Sequence, residues 1–195
     1  MDRCHRADTD MEAINTIWIG SNYPRKRIFV LGESWYGDYV DNTDAGYIRL
    51  YLDGKVTDSM YTRMANACGM SRHEFWNGII FTNYVQRVGD TRNCRPDVEA
   101  YRAAASRLAF LLERHRPSAL WILGIGQAEY SAPVVEAAGI PFEITAHPTS
   151  FGLTNAALGE SWNRLIKKLG NEMTTVNSTV IGAAVKHYVM ALVSG

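Results

Sequence analysis

The sequence has few cysteines and no excess of either charge. Its 195 residues include three cysteines, Cys4, Cys68 and Cys94, and none of them belongs to a CxxC pair. An odd number of cysteines without paired spacing argues against a disulfide framework and a zinc site, and it predicts a protein of the reducing cytoplasm. Twenty basic and twenty acidic residues give a net charge of zero. Dedicated duplex-DNA-binding proteins usually carry a basic excess, so contact with nucleic acid would depend on a local basic patch.

Long hydrophobic runs are also absent. No apolar run reaches the roughly 18 residues that a membrane-spanning helix needs, and the polar start from Met1 to Asp10 does not resemble a signal peptide. Repeats and low-complexity tracts are missing as well. We therefore expect no membrane contact and a single domain over residues 1–195, with its core at about 27–169. The pattern does not define residues 170–195, where Ile181–Leu192 fits either a helix or a strand.

Four short apolar runs predict buried strands. Each is apolar on both faces, which is typical of parallel strands that helices cover on both sides. The predicted strands are Arg27–Leu31, Gly78–Thr82, Ala119–Leu123 and Pro141–Thr145.

Helical patterns lie between and after these strands. The predicted helices are Ser59–Gly69, Pro96–Arg116, Gln127–Ala138 and Asn155–Leu169. The second of them carries a buried stripe at helical spacing, formed by Val98, Tyr101, Ala105, Leu108 and Leu112. The alternation of strands and helices predicts an α/β fold, a three-layer α/β/α sandwich with a central four-stranded parallel sheet.

Polar residues or glycines follow each predicted strand. Glu33 follows the first strand, Asn83 the second, Gly124 the third and His147 the fourth. Because ligands of open α/β sheets bind outside the carboxyl ends of the strands, we expect these four residues to line one cleft. Each also has a simpler interpretation: Glu33 as an exposed loop acid, Asn83 as a turn cap, Gly124 as part of a tight turn and His147 as a loop residue without a role. The nearby aromatic residues Trp35, Tyr36 and Tyr39 fit either the core or a contact between subunits.

Together these segments resemble the uracil-DNA glycosylase superfamily. The resemblance rests on Gly32-Glu33-Ser34-Trp35-Tyr36-Gly37, on Ile80-Phe81-Thr82-Asn83-Tyr84-Val85 and on His147-Pro148-Thr149, and it covers roughly Arg27 to Leu169. It is closest to the thermophilic-type branch, whose glutamate Glu33 matches. Tyr36 matches the tyrosine that narrows the base pocket in the best-known branch.

The sequence departs from the family pattern at three points. Trp35 replaces the usual proline of the first motif, and Ser34 stands where the best-known branch has its water-activating aspartate. The four iron–sulfur cysteines of the thermophilic-type branch are missing. We therefore expect no cofactor and no metal.

The resemblance implies a DNA glycosylase that hydrolyses the N-glycosidic bond of uracil or another deaminated base. It assigns catalysis to Glu33 and His147. Base binding falls to Gly32, Tyr36, Tyr47 and Asn83, with Tyr51 as a second candidate for stacking on the base. DNA contacts fall to Pro148, Thr149, Ser150 and Phe151, with Phe151 or Leu153 as a wedge in the base stack. Candidates for phosphate contacts are Arg72, Arg87, Arg92 and Arg95. The implied partner is single- or double-stranded DNA with a deaminated base, bound by a monomer.

Two other functions remain open from the sequence. The missing motif proline and the zero net charge favour a domain of the same fold that binds nucleic acid or a free base without catalysis. Gly32-Glu33-Ser34 also resembles the first motif of Gly-Asp-Ser esterases, with Ser34 as the nucleophile. That family places an aspartate shortly before its histidine, and residues 142–147 contain none.

Overall fold

A five-stranded sheet forms the centre of the computed structural model, which describes residues 17–36, 43–86, 88–89 and 95–170. The strands of the described chain are β1 (Trp18–Ile19), β2 (Ile28–Gly32), β3 (Trp35–Tyr36), β4 (Ile79–Asn83), β5 (Val88–Gly89), β6 (Ala119–Leu123) and β7 (Phe142–Thr145). The main sheet has the order β1-β4-β2-β6-β7, while β3 and β5 form a separate parallel pair. The α/β fold predicted from the sequence is therefore confirmed.

The predicted four-stranded parallel sheet needs one correction. Strands β4, β2, β6 and β7 are parallel, as expected, but β1 pairs antiparallel with β4 and makes the sheet mixed. The indole Nε1 of Trp18 in β1 donates a hydrogen bond to the carbonyl oxygen of Trp76 at 2.7 Å. A two-residue strand is too short to show the alternation by which strands are recognised in a sequence.

Helices cover both faces of the sheet. They are α1 (Tyr23–Lys26), α2 (Asp44–Leu52), α3 (Ser59–Ala67), α4 (Arg72–Asn77), α5 (Val98–His115), α6 (Ile125–Ala137) and α7 (155–170). The predicted helices correspond to α3, α5, α6 and α7, whereas α1, α2 and α4 were missed. Pro96 lies outside α5, because Asp97 is the N-cap and accepts a hydrogen bond from the Ala100 N–H at 2.8 Å.

Strands β2, β4 and β6 bury both of their faces, as the apolar runs predict, but β7 at the edge of the sheet does not, since Ile144 is 37% exposed. Ile28 and Val30 of β2 belong to a core cluster with residues of α2, α3, α4 and α7. Phe29 and Leu31 belong to a second cluster with residues of α5 and α6. The predicted stripe of α5 was wrong at Val98, which is 45% exposed in the first turn, and Leu111 is buried instead.

The strand order creates a crevice at the carboxyl edge of the sheet. From β2 the chain passes to β4 on one side and then crosses to β6 on the other side of β2. The segments that follow β2 and β6 therefore diverge, which is the geometry that forms binding crevices in open α/β sheets. Among the residues described, no helix has both the length and the apolar character that crossing a bilayer requires.

Candidate functional site

Four residues predicted to line one cleft lie at the carboxyl edge of the sheet. Glu33 directly follows β2, Asn83 ends β4, Gly124 follows β6 and His147 comes shortly after β7. Asn83 is the register partner of Gly32, the residue before Glu33. A Cβ atom built on Gly124 would lie 3.6 Å from the Cβ of Glu33. Burial lowers the pKa of His147, and the charge of Glu33 opposes this shift, so these two side chains interact electrostatically.

Glu33 is a buried carboxylate with a tyrosine partner. Its side chain is 7% exposed, and the Tyr101 hydroxyl donates a hydrogen bond to its Oε1 at 2.6 Å. Gly126 makes room for this pair, because a Cβ there would come within 3.2 Å of the same oxygen. The ring of Tyr101 stacks on that of Tyr130, with centroids 5.1 Å apart. Tyr101, predicted as a core residue, is thus buried but also fixes one oxygen of the candidate catalytic carboxylate.

Ser34 is buried beside Glu33 without a hydrogen-bond partner among the described residues. It is 8% exposed, and its Oγ contacts no described donor or acceptor. A serine nucleophile needs a base within hydrogen-bond reach. The described structure therefore gives no support to the esterase interpretation.

The side-chain amide of Asn83 has a fixed orientation. Its Nδ2 donates to Oδ1 of Asp44 at 2.8 Å, and its backbone N–H donates to Oδ2 of Asp44 at 3.0 Å. Because an ionised carboxylate only accepts hydrogen bonds, the nitrogen of the amide must face Asp44. The amide oxygen then lies beside Gly32, where a Cβ would be 2.4 Å from it. Gly32 therefore leaves space for the amide of Asn83.

Asp44 is the centre of a buried polar network that the sequence analysis missed. It is fully buried and also accepts a hydrogen bond from the Thr82 hydroxyl at 2.6 Å. The guanidinium of Arg107 donates to Thr82 Oγ1 at 2.9 Å and to the carbonyl oxygen of Asn83 at 3.1 Å. Gln86 donates to the same two oxygens.

Burial sets the protonation behaviour of this network. Desolvation raises the pKa of Asp44 to about 6, although its hydrogen bonds and the charge of Arg107 oppose the shift. Burial likewise lowers the pKa of Arg107 to about 10, while Asp44 opposes that change. The carboxylate of Asp44 is therefore ionised at neutral pH and Arg107 is its cationic neighbour.

A helix-start signal before Asp44 was present in the sequence. Thr43 caps α2 by accepting a hydrogen bond from the Gly46 N–H at 2.9 Å. Ile48 and Tyr51 follow Asp44 at helical spacing and are buried with it. A threonine cap followed by this spacing indicates an amphipathic helix that buries the face with Asp44.

His147 is half-buried in a turn, and its tautomer follows from its contacts. The backbone N–H of Thr149 donates to Nδ1 of His147 at 3.3 Å, and the Thr149 hydroxyl lies 2.9 Å from the same atom. Since a backbone N–H only donates, Nδ1 accepts and Nε2 carries the proton of the neutral ring. Burial lowers the pKa of His147, against the charges of Glu33 and Asp58. At neutral pH the ring is uncharged and can donate through Nε2–H.

The segment assigned to DNA contacts has one fully exposed side chain. Pro148 is buried, Ser150 is half-buried, and Thr149 is exposed but bound to His147. Phe151 is fully exposed at the tip of the turn, whereas Leu153 packs against the core. Of the two wedge candidates, only Phe151 therefore projects into solvent.

Arg63, which the sequence analysis did not single out, holds this segment in place. Its guanidinium donates to the carbonyl oxygens of Pro148 and Leu153, and its Nε donates to Oδ1 of Asn155 at 2.6 Å. These partners lie on both sides of the turn tip. A cavity of about 570 Å³ adjoins it, lined by residues from the start of α3 and by Asn155.

Replacing Arg63 with methionine should loosen this turn. Methionine has a similar length but cannot donate, so three acceptors lose a charged donor, and we expect a loss of about 1.5–3 kcal/mol in the free energy of unfolding. Amide hydrogen exchange at Ser150 and Leu153 should accelerate more than in β6. Arg63→Lys is the control for charge, because one ammonium group cannot reach all three acceptors. Unchanged exchange in Arg63→Met would show that the turn holds its shape without Arg63.

The aromatic residues Tyr47, Tyr51 and Trp35 have different environments. Tyr47 is half-buried, donates to Oδ2 of Asp58 at 3.3 Å and packs edge-to-face on Trp35 at 6.1 Å. Tyr51 is 2% exposed and its hydroxyl is paired with Thr62, so it does not present a face to a ligand. Trp35 is buried in the core.

The remaining predicted contacts divide between the described and undescribed parts of the chain. Arg72 donates to the carbonyl oxygen of Tyr51 at 2.9 Å and lies over its ring. Arg95 is exposed, and its charge adds to the lowering of the pKa of His147 that burial causes. The Tyr36 side chain, Tyr39, Arg87, Arg92 and residues 171–195 lie outside what the structure describes.

A second cavity, of about 910 Å³, opens at the opposite edge of the sheet. Its lining includes Arg27, Arg116 and Ser118, which precede the amino ends of β2 and β6, together with residues of α5 and α6. It includes none of the site residues predicted from the sequence.

Comparison with known protein families gives no matching family model, and comparison with curated protein sequences gives no significant match.

Proposed function

We propose that this protein is a DNA glycosylase, a hydrolase that removes uracil or another deaminated base from DNA. The observation that carries the proposal is the set of three groups at the carboxyl edge of the sheet. These are the oriented amide of Asn83, the buried carboxylate of Glu33 and the half-buried imidazole of His147. The motif resemblance supports the same assignment. The proposed setting is the cytoplasm, with a monomer acting on single- or double-stranded DNA.

The three groups match the charges that develop when an N-glycosidic bond breaks. The base must first leave the stack and enter the site, where Asn83 offers one acceptor and one remaining amide proton to it. Uracil presents the complementary pair, an N3–H and a carbonyl O4. Discrimination by such a pair is effective because a wrong base leaves buried polar groups unpaired.

Glu33 and His147 then act on opposite charges. The C–N bond breaks with its electron pair on the departing base, so negative charge grows on the base and positive charge on the sugar. Nε2–H of His147 donates to the base oxygen, and the carboxylate of Glu33 stabilises the sugar cation or orients the water that attacks it. The water adds to the sugar carbon and releases its proton to solvent or to Glu33, which completes the hydrolysis.

The direct test is base release from defined oligonucleotides. Labelled single- and double-stranded oligonucleotides containing uracil, hypoxanthine or xanthine are incubated with the protein and then treated with alkali, which cleaves the strand at an abasic site. Glu33→Gln and His147→Ala, purified in the same way, are the controls, because a contaminating activity would be the same in all three samples. We expect cleavage at the deaminated base by the parent protein. Binding of the oligonucleotide without any cleavage would instead indicate the non-catalytic alternative.

Phe151 should contribute to catalysis on duplex DNA without stabilising the fold. Its ring is fully exposed, so Phe151→Ala should leave the unfolding midpoint unchanged. If the ring fills the gap left by the flipped base, its loss should lower excision from duplex DNA by about tenfold or more and affect single strands less. Phe110→Ala, which truncates another exposed phenylalanine on α5, is the matched control. Equal losses on duplex and single strands would argue against a wedge.

A further inference from the structure

We infer that Asp44 is a positioning residue that determines which edge of a base the site accepts. The inference rests on the proposed function, because it concerns the base that Asn83 contacts. The side-chain amide of an asparagine is nearly symmetric in shape. Rotation of the amide by a half-turn exchanges its oxygen and nitrogen at little steric cost. An unrestrained asparagine therefore pairs equally well with a lactam edge, which has an N–H donor beside a C=O acceptor, and with an amidine edge, which has a ring nitrogen acceptor beside an amino donor.

Asp44 removes this ambiguity. Its Oδ1 accepts from Nδ2 of Asn83 at 2.8 Å, and the pair is buried, with Asn83 5% exposed and Asp44 fully buried. In the rotated state the oxygen of Asn83 would face the carboxylate, and two acceptors would meet without a proton in a buried site. Unpaired buried polar groups of this kind are costly. The amide therefore directs its oxygen and one remaining proton away from Asp44.

This orientation selects the lactam edge. A base with an adjacent N–H donor and C=O acceptor, such as uracil or hypoxanthine, complements the acceptor and donor of Asn83. Cytosine and adenine present the opposite order, a ring nitrogen acceptor beside an amino donor. Uracil and hypoxanthine thus fit the oriented amide, whereas cytosine and adenine, the bases from which they form by deamination, do not.

The contacts of Oδ2, the other carboxylate oxygen of Asp44, predict how the substitution Asp44→Asn affects Asn83. Oδ2 accepts from both the Thr82 hydroxyl and the Asn83 backbone N–H, at 2.6 and 3.0 Å. In Asp44→Asn, these two donors require the new amide oxygen at the Oδ2 position. The new NH₂ group then occupies the Oδ1 position and faces the amide of Asn83. Asn83 must rotate to accept from it, and the edge offered to a ligand is reversed.

The test compares uracil with cytosine as probes. Single-turnover excision rates are measured on oligonucleotides that differ only in carrying one or the other. We expect Asp44→Asn to lower the preference for uracil over cytosine by about ten- to a hundredfold, the effect of a misplaced buried hydrogen bond. Thr82→Val is the matched control: it removes another donor to the same carboxylate and should lower the unfolding midpoint but keep the preference. Equal preferences in the parent and in Asp44→Asn would overturn the inference.

A spectroscopic measurement tests the orientation without any activity. The side-chain NH₂ resonances of Asn83, identified by their loss in Asn83→Ala, should show one proton shifted downfield and protected from exchange in the parent protein. That signature should disappear in Asp44→Asn. An unprotected pair of protons in the parent would overturn the inference even if Asp44→Asn did not fold. If the parent protein excised neither base, the proposed function would fail, and the spectrum would still decide whether Asp44 orients Asn83.

Discussion

Replacing His147 with alanine should lower the single-turnover rate of uracil excision by about 10²- to 10³-fold, the usual effect of losing one donor that stabilises a developing anion. The affinity for uracil-containing DNA should change by only a few-fold. The reason is that, in the proposed mechanism, Nε2–H faces an oxygen that is nearly neutral in the bound base and becomes anionic as the bond breaks. A fixed donor of this kind stabilises the transition state more than the ground state.

The contacts and the burial of His147 suit it to the proposed role at neutral pH. The backbone N–H of Thr149 occupies Nδ1 and so places the proton of the neutral ring on Nε2. Burial lowers the pKa of His147, which keeps the ring uncharged. We therefore expect the parent rate to persist between about pH 7 and 8, where a histidine with a lowered pKa stays neutral.

A matched control separates this role from a general effect of removing a histidine. His115 ends α5 next to the start of β6, at the amino edge of the sheet and far from the site. His115→Ala should leave the excision rate close to that of the parent. Glu33→Gln should reduce the rate less than His147→Ala if Glu33 only orients water. A His147→Ala protein as fast as the parent would exclude His147 from the site.

The largest loss of stability is expected for Asp44→Ala. This substitution leaves the Thr82 hydroxyl and the backbone and side-chain N–H groups of Asn83 without their acceptor, and Arg107 without its buried counter-charge. Removing one partner of a buried charged pair typically costs about 3–5 kcal/mol. Denaturant unfolding of the two proteins at pH 7 measures the difference. A loss below about 1 kcal/mol, as for an exposed ion pair, would show that the network does not stabilise the fold.

The difference in the free energy of unfolding between the parent protein and Asp44→Ala should also depend on pH. Burial raises the pKa of Asp44 to about 6 in the native state, whereas an unfolded aspartate has a pKa of about 4. Between these values the native state retains a proton that the unfolded chain has released. The stabilisation by Asp44 is therefore fully present below about pH 4 and decreases as the pH rises through about 6. Because both proteins contain His147 and every other titrating group, comparing them isolates Asp44.

The same network changes how an Asn83→Asp variant should be interpreted. From sequence alone, this substitution exchanges a donor for an acceptor and is expected to favour the amino group of cytosine. In the structure the new carboxylate would lie against that of Asp44, within the 2.8 Å that now separates Nδ2 from Oδ1. Two buried carboxylates at this distance share a proton. Asn83→Asp would therefore change the charge and protonation of the pair as well as the edge it presents, and Asp44→Asn is the cleaner test of base preference.

The alternation of apolar runs and helical patterns was sufficient to predict the layers of the fold. Ala119–Leu123 was predicted with its observed bounds because a strand buried on both faces is apolar at every position. Gly69 and Gly139, which follow α3 and α6, have φ values of 67° and 66°. Such helix ends depend on local chemistry, because a residue with left-handed backbone angles after a helix favours glycine whatever the helix packs against.

The short elements could not be predicted in the same way. Strands β1, β3 and β5 have two residues each, and α1 has four. Their existence depends on a neighbour: β1 pairs with β4, and β3 pairs with β5 across more than fifty residues of chain. Non-local pairing of this kind leaves no periodicity in either segment.

The sequence by itself determined the fold class and the carboxyl-edge position of Glu33, Asn83 and His147, because each follows a run that is apolar enough to be a buried strand. Only the tertiary structure brought their partners to them. Asp44 is 39 residues from Asn83, Tyr101 is 68 residues from Glu33, and Arg63 is 85 residues from Pro148. The hydrogen bonds between these residues depend on helix packing, and periodicity reports which face of a helix is buried without reporting what that face meets.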